Sequence, residues 1–158
     1  MTYTFVVDGM LGKLAKWLRI LGYSTYYAKN EADDDLLKIA SLSKAVLLTR
    51  DRHLKNRAEG MGINSIYMPE DLAASLLKLN RLGYIRLEIN LHKSRCPLCN
   101  TKLEYLDPSR AEKLNAPHYV VERYSVILYC PRCGKFYWPG SHYIKMQAFL
   151  RKIGKHNI

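Results

Sequence analysis

Residues 4–28 are TFVVDGMLGKLAKWLRILGYSTYYA, and this stretch predicts one strand–helix–strand unit. A β-branched and aromatic run ends in Asp8, after which the apolar period changes and residues 9–21 place their leucines on one helical face. Gly22 follows where a helix C-cap favours a residue that tolerates positive φ, and residues 24–28 predict the second strand. The basic residues of the helix form a stripe opposite the leucines: Lys13, Lys16 and Arg19.

The same alternation of strands and helices continues to about residue 79. Nearly continuous apolar strands that alternate with helices of about ten residues are typical of a parallel sheet covered by helices on both faces. We therefore predict an α/β domain over residues 1–92, which ends in a half-exposed strand at residues 84–92, where apolar and polar residues alternate. The other predicted elements are helices over 33–43, from Asp51, and over 69–79, and strands over 45–49 and 63–68.

Four cysteines in two Cys-x-x-Cys pairs mark the second part of the chain, residues 93–158: Cys96, Cys99, Cys130 and Cys133. Each pair directs two thiolates at one centre, and two pairs complete a tetrahedral shell for structural zinc. The spacing therefore predicts a small zinc ribbon, with two disulfides or a redox dithiol as the alternatives. The 30 residues between the pairs predict a helical or hairpin insertion. Further strands are predicted at 119–129 and 135–138, and a closing helix at 141–152.

The charge of the chain is unevenly distributed. The formal net charge is +11, and residues 93–158 hold 12 Lys and Arg against 4 Asp and Glu, whereas residues 1–92 hold 13 against 10. A basic module rich in aromatic residues favours nucleic acid as a partner. The N-terminus has no basic leader and no apolar run approaches the ~18 residues of a membrane span, so we expect a soluble cytoplasmic protein without a membrane partner.

Acidic residues follow the predicted strands at the edge where a parallel sheet binds its ligands. Asp8 ends the first strand, Asp51 follows the third, and the run 33–35 opens the helix after the second. Converging carboxylates repel one another, and Mg²⁺ or Mn²⁺ relieves that repulsion. The alternative is that Asp51 and Asp33 only cap their helices.

Three segments, residues 6–22, 33–37 and 47–52, together with the four cysteines and the motif at 137–142, resemble the PIN-like ribonuclease family named after the C-terminal domain of the Mut-seven exonuclease. This resemblance spans nearly the whole chain. It implies a PIN-like α/β domain followed by a zinc ribbon, and a metal-dependent ribonuclease whose acids are Asp8, one or two of residues 33–35, and Asp51.

We therefore assign candidate residues for each role. A helix that starts at the sheet edge directs its first residues at the site, which favours Asp33 and then Asp34 within the acidic run. The candidates for phosphate and base contacts could instead have purely structural roles. Basic residues at helix starts are often only solvated, and aromatic residues often form the core of a ribbon. The catalytic candidates are Asp8, Asp33, Asp34 and Asp51; the Mg²⁺ or Mn²⁺ ligands are Asp8, Asp33 and Asp51; the substrate-binding candidates are Lys13, Arg50, Arg52, Trp138 and His142.

The predicted function is that of a cytoplasmic endoribonuclease that uses Mg²⁺ or Mn²⁺ and whose zinc ribbon guides RNA. Two other classes of function are compatible with the same residues. One is an RNA-binding protein without cleavage activity, in which the acids are helix caps. The other is a component of an RNA-processing or ribosome-associated assembly, in which the basic face meets RNA only together with protein partners.

Overall fold

The computed structural model describes residues 2–155, and the first half of the chain forms a four-stranded parallel sheet in the order β2–β1–β3–β4. Val6 of β1 lies opposite Tyr26 of β2 and Leu47 of β3. The strands are β1 (Phe5–Asp8), β2 (Thr25–Ala28), β3 (Val46–Thr49) and β4 (Ser65–Tyr67). A 3-10 helix at Gly9–Leu11 precedes α1 (Gly12–Ile20), and the other helices are α2 (Asp33–Ser43), α3 (Arg52–Gly60) and α4 (Leu72–Arg81).

Helices cover both faces of this sheet, as the sequence predicts. Alternate residues of the strands point to opposite sides, so Val6 and Leu47 pack with α2 and α3, whereas Val7 and Leu48 pack with α1 and α4. The two layers bury nearly every apolar side chain of the strands. The α/β fold class is therefore confirmed.

The second half of the chain forms a three-stranded antiparallel sheet in the order β5–β6–β7. Two short helices lie between the cysteine pairs, which confirms the predicted helical insertion. The elements are β5 (Glu104–Leu106), α5 (Pro108–Lys113), α6 (His118–Arg123), β6 (Ile127–Tyr129), β7 (Phe136–Tyr137) and α7 (Ser141–Lys155).

Two predicted strands differ from the structure. Residues 84–92 have alternating burial, with Ile85 and Ile89 inside, but they form no strand. Side chains satisfy backbone groups here instead: Asn80 Nδ2 donates to the Ile85 carbonyl oxygen at 2.9 Å. The predicted strand over 119–129 is also wrong in its first part, because helix α6 begins at His118 after its N-cap Pro117, and only Ile127–Tyr129 pair as a strand.

Helix α7 packs on the first half of the molecule. Met146, Leu150 and Ile153 are buried in the same apolar cluster as α1 and α4. The core therefore crosses the predicted division between residues 92 and 93, and that division stays a prediction. Within residues 2–155, no helix combines the length and the hydropathy that crossing a bilayer requires.

Candidate active site and nucleic-acid interface

Asp8 lies at the carboxyl edge of the parallel sheet, where β1 ends. In the neighbouring strand β3, Leu48 is the register partner of Val7. The last residue of β3, Thr49, therefore lies beside Asp8. The Thr49 hydroxyl donates to Asp8 Oδ2 at 2.9 Å, and the backbone N–H of Gly9 donates to Asp8 Oδ1 at 2.7 Å. Two donors from different strand ends therefore fix the half-buried Asp8 carboxylate in one orientation.

Asp51 is connected to Asp8 through the same threonine. The Asp51 backbone N–H donates to Thr49 Oγ1 at 3.0 Å, so the hydroxyl accepts from Asp51 and donates to Asp8. Asp51 Oδ1 accepts from the N–H groups of His53 and Leu54 at 2.9 and 3.1 Å, which caps α3. The capping role that the sequence gives as the alternative for Asp51 is confirmed. Within residues 2–155, the capping hydrogen bonds use only Oδ1 of the two carboxylate oxygens.

Asp33 and Asp34 are held by a basic residue of α3. Helix α2 begins at Asp33, its N-cap is Ala32, and no side chain caps it, so a capping role for Asp33 is wrong. Arg57 Nη2 bonds to Asp34 Oδ1, and Arg57 Nη1 lies 4.0 Å from Asp33 Oδ2. The hydrogen bond that Arg57 donates to Asp34 raises the pKa of Arg57, so the guanidinium stays charged beside both acids.

The acids do not form a preassembled group of three within the described residues. In residues 2–155, the only set of three or more Asp, Glu, His or Cys side chains whose ligand atoms all lie within 4.8 Å is the cysteine set. The catalytic and metal-binding roles of Asp8, Asp33, Asp34 and Asp51 therefore stay predictions. What the fold does bring together is Asp8 and Asp51, through Thr49.

The four cysteines come together as the zinc-ribbon prediction requires. Cys99 Sγ lies 3.5 Å from Cys130 Sγ, and Cys96 Sγ lies 3.9 Å from Cys133 Sγ. Four sulfurs at about 2.3 Å from a tetrahedral zinc ion are about 3.8 Å apart, so these spacings fit that ion. All four cysteines are free thiols, which argues against the disulfide alternative.

The two knuckles have equivalent backbone geometry. Asn100 follows the first pair with φ of 71°, and Gly134 follows the second with φ of 73°. The backbone N–H of each donates to the carbonyl oxygen of the first cysteine of its pair at 2.8 Å. Gly134 meets this left-handed requirement because it has no Cβ, whereas Asn100 is one of the few other residues that tolerate it.

The thiols of the cluster differ in acidity. Burial opposes ionisation of Cys99, but hydrogen bonds with Thr101 and with the neighbouring cysteines outweigh it and lower the pKa of Cys99 to about 6. A hydrogen bond to Cys99 and then burial raise the pKa of Cys133 to about 12. One thiolate is therefore favoured in the cluster without metal, and a bound cation has to displace protons from the others.

Three of the five substrate-binding candidates line two adjoining cavities between α1 and the ribbon. Lys13 lines a cleft of about 790 Å³, Trp138 lines an apolar pocket of about 400 Å³, and His142 lines both. The cleft also exposes further lysines from three separate segments, which the candidate set does not include: Lys16, Lys29 and Lys135. The substrate roles stay predictions, but the fold gathers these three candidates.

The other two substrate-binding candidates lie elsewhere. The Arg52 guanidinium stacks on the Tyr67 ring, 4.1 Å from its centroid, at the end of β4. Arg50 follows Thr49, and its Nε is buried without a hydrogen-bond partner among the described residues. Neither residue lines the cavities beside the ribbon.

Sequence reasoning missed several residues that organise these sites. The role of Thr49 was missed because it is the last residue of a strand that is otherwise apolar. A hydroxyl between an apolar run and an acid is nevertheless a detectable signal. Tyr27 donates from its hydroxyl to the Gly9 carbonyl oxygen at 2.6 Å, and a Cβ at Gly12 would lie 2.8 Å from that hydroxyl. The tyrosine therefore holds the chain after Asp8, which no local pattern indicates.

The comparisons with known proteins bear on the whole chain. No curated protein and no solved structure matches it. A family model described as the Mut7-C RNAse domain matches residues 3–150 and thus both the parallel sheet and the four cysteines. Because this match covers nearly all of the sequence, the chain belongs to the Mut7-C RNAse domain family.

Proposed function

We propose that this chain is a metal-dependent endoribonuclease whose reaction takes place at the carboxyl edge of the parallel sheet. The family indicates a ribonuclease-type function with RNA as substrate. The observation that carries the site assignment is the Asp8–Thr49–Asp51 connection, because it orients two carboxyl-bearing residues from separate strand ends at one edge.

The donor set at this edge fits Mg²⁺ or Mn²⁺. These ions use oxygen ligands, keep several waters and need only one or two carboxylates from the protein. Asp8 and Asp51 would hold the ion, with Asp33 or Asp34 reaching it directly or through water. A bound ion would supply activation of a water and neutralisation of charge on the leaving oxygen.

The surrounding residues would perform the remaining tasks. Thr49 orients Asp8 by donating a hydrogen bond to Oδ2. Arg57 offsets the negative charge of Asp33 and Asp34, so that the acidic edge does not repel an RNA phosphate. The cysteine cluster would hold a structural zinc ion, because a closed shell of four thiolates leaves no open coordination position for chemistry. The ribbon would then contribute to RNA binding.

The test is cleavage of end-labelled linear RNA and of circular RNA by zinc-loaded protein, with and without added Mg²⁺ or Mn²⁺. We expect divalent-dependent cleavage of both RNAs, since an endonuclease needs no free end. Asp8→Asn keeps the shape of the side chain. We expect it to lower the cleavage rate by at least about 100-fold, because the loss of a residue that only orients a metal ligand already costs up to about that much.

Asp107→Asn is the matched control, because Asp107 caps α5 in the ribbon by accepting from Arg110 N–H at 2.8 Å and lies away from the sheet edge. We expect this variant to cleave at the rate of the wild type. Equal activity of the wild type and Asp8→Asn would reject the site. Salt-sensitive RNA binding without any cleavage would favour the RNA-binding alternative.

A further inference from the structure

The cleft between α1 and the ribbon has a strongly one-sided charge. Its lining contains four lysines and a histidine from the two halves of the chain, and no aspartate or glutamate. All four lysines are exposed, and within residues 2–155 none of them forms an ion pair. The lysines of the cleft are Lys13, Lys16, Lys29 and Lys135. Free ammonium groups gathered along one groove provide an electrostatic match for a polyanion.

An apolar pocket opens beside this cleft. It shares part of its wall with the cleft, including Tyr137 and His142, and its other walls contain Phe136, Trp138 and Tyr143. Its volume of about 400 Å³ lies in the range of small-molecule sites. Aromatic side chains beside a basic groove are the arrangement by which proteins bind unpaired bases, since every base can stack on an aromatic face.

The cleft begins next to the proposed catalytic edge. Lys29 directly follows Ala28, and Ala28 is the register partner of Asp8 in the sheet. Tyr27, which lines the cleft, donates to the carbonyl oxygen of Gly9, the residue after Asp8. From there the cleft follows Lys13 and Lys16 along α1 and reaches Lys135 on the ribbon.

We propose that this cleft binds one single strand of RNA and that the adjoining pocket receives one of its unpaired bases. The lysines contact the phosphates, which supplies affinity independent of sequence. The pocket selects single strands, because a base in a duplex is stacked and paired and does not enter it. This inference rests on the proposed ribonuclease function, which it deepens by naming single-stranded RNA as the substrate class and by giving its path.

The experiment measures binding of a short fluorescein-labelled oligouridylate by anisotropy, with zinc-loaded protein and no added Mg²⁺ or Mn²⁺. We expect Lys16→Ser and Lys135→Ser each to lower the affinity about 5-fold near 0.1 M salt and to reduce the slope of log K against log salt by about 0.7, the effect of one lost phosphate contact. Lys38→Ser and Lys113→Ser are the matched controls, one exposed lysine from each half of the chain outside the cleft. An equal loss in all four variants would overturn the proposal, because binding would then follow net charge alone.

The pocket is tested by tryptophan fluorescence, since the two tryptophans of the chain, Trp17 and Trp138, line the cleft and the pocket. We expect oligouridylate to quench the signal of Trp138 in the Trp17→Phe variant. An abasic ribose–phosphate strand of equal length should keep the salt dependence, bind more weakly and quench little. Equal affinity for the abasic strand, or for a duplex of the same length, would overturn the base pocket.

The outcomes separate this inference from the function on which it rests. If the lysine variants lose binding while the wild type never cleaves RNA, the nuclease proposal fails and the cleft stands. If the wild type cleaves RNA and Lys16→Ser and Lys135→Ser bind and cleave like it, the cleft assignment fails and the nuclease proposal stands.

Discussion

Arg19 of α1 donates a hydrogen bond from Nη1 to the carbonyl oxygen of Pro97, inside the first cysteine knuckle, at 3.0 Å. Its Nε donates to the Thr25 carbonyl oxygen, also at 3.0 Å. The sequence places Arg19 in a basic stripe opposite the leucines of α1, but the residue is only 8% exposed. Burial lowers its pKa, and the nearby Cys99 and Cys96 oppose that shift. One guanidinium thus connects the parallel sheet to the ribbon.

We expect Arg19→Met to lower the free energy of unfolding by about 2 to 3 kcal/mol, because two buried carbonyl oxygens lose a charged donor. Urea unfolding, followed by circular dichroism, measures this change. Lys16→Met on the exposed face of the same helix should leave the midpoint nearly unchanged. An unchanged midpoint for Arg19→Met would show that the connection adds nothing to stability.

The two equivalent knuckles allow backbone and side-chain effects to be separated at Asn100. Its Oδ1 accepts from Thr25 N–H at 2.9 Å and its Nδ2 donates to Ser24 Oγ at 3.1 Å, so the side chain also attaches the ribbon to β2. At Gly134, a Cβ would meet no described heavy atom within 4 Å. We expect Gly134→Ala to cost about 1 kcal/mol, the penalty of a left-handed alanine.

Asn100→Ala should cost more than Gly134→Ala, because it loses two buried hydrogen bonds and also places alanine in the left-handed region. Asn100→Gly removes only the hydrogen bonds and should lie between the wild type and Asn100→Ala. Thermal unfolding of the zinc-loaded proteins gives the order. If Asn100→Ala and Gly134→Ala were equally stable, the contact with β2 would carry no free energy.

Thr49 is expected to support both stability and activity. Thr49→Val keeps the shape of a fully buried side chain but removes the hydroxyl between Asp8 and Asp51, so we expect a loss of about 1 to 3 kcal/mol in unfolding free energy. Cleavage should fall as well, because Asp8 loses its orienting donor. Thr49→Ser retains the hydroxyl and should recover most of both losses. Failure of serine to recover activity would contradict the role of the hydroxyl.

Asp51 has a structural role and a proposed catalytic role, and serine separates them. Asp51→Ser retains an N-cap oxygen, so the unfolding free energy should change by only a few tenths of a kcal/mol, whereas Asp51→Ala should cost about 1 kcal/mol. Both variants remove the carboxylate, and we expect both to lose RNA cleavage. A fully active Asp51→Ser would assign this residue to helix capping alone.

Cys133 is the exposed member of the cysteine cluster, and Cys133→Ser should remove stoichiometric zinc and lower the melting temperature. Lys135→Ser, next to the same knuckle, keeps all four thiols and should keep the metal.

The pKa values of Cys130 and Cys133 are raised, so zinc has to displace their protons and its affinity should rise with pH. Metal analysis and competition with a chelator at several pH values check both expectations; an affinity that falls as pH rises would contradict the thiol cluster as the site.

The sequence by itself determined the α/β layering and the metal-binding potential of the ribbon. Both are local properties: apolar period defines strands and helices, and Cys-x-x-Cys fixes the direction of two thiolates within one turn. The acids at strand ends were also predictable, because parallel strands bring their carboxyl ends to one edge. The prediction of a strand at residues 84–92 is wrong, because the alternation of apolar and polar residues indicates only burial, whereas a strand also requires a pairing partner.

Only the tertiary structure decided which distant groups meet. Arg19 turns inward because the Pro97 carbonyl oxygen reaches it, Arg57 binds Asp33 and Asp34, and Thr49 joins Asp8 to Asp51. The basic cleft likewise gathers lysines from α1, the end of β2 and the second knuckle. These relationships depend on how α1, α7 and the ribbon pack. A pattern of neighbouring residues does not specify the packing between segments that are far apart in the chain.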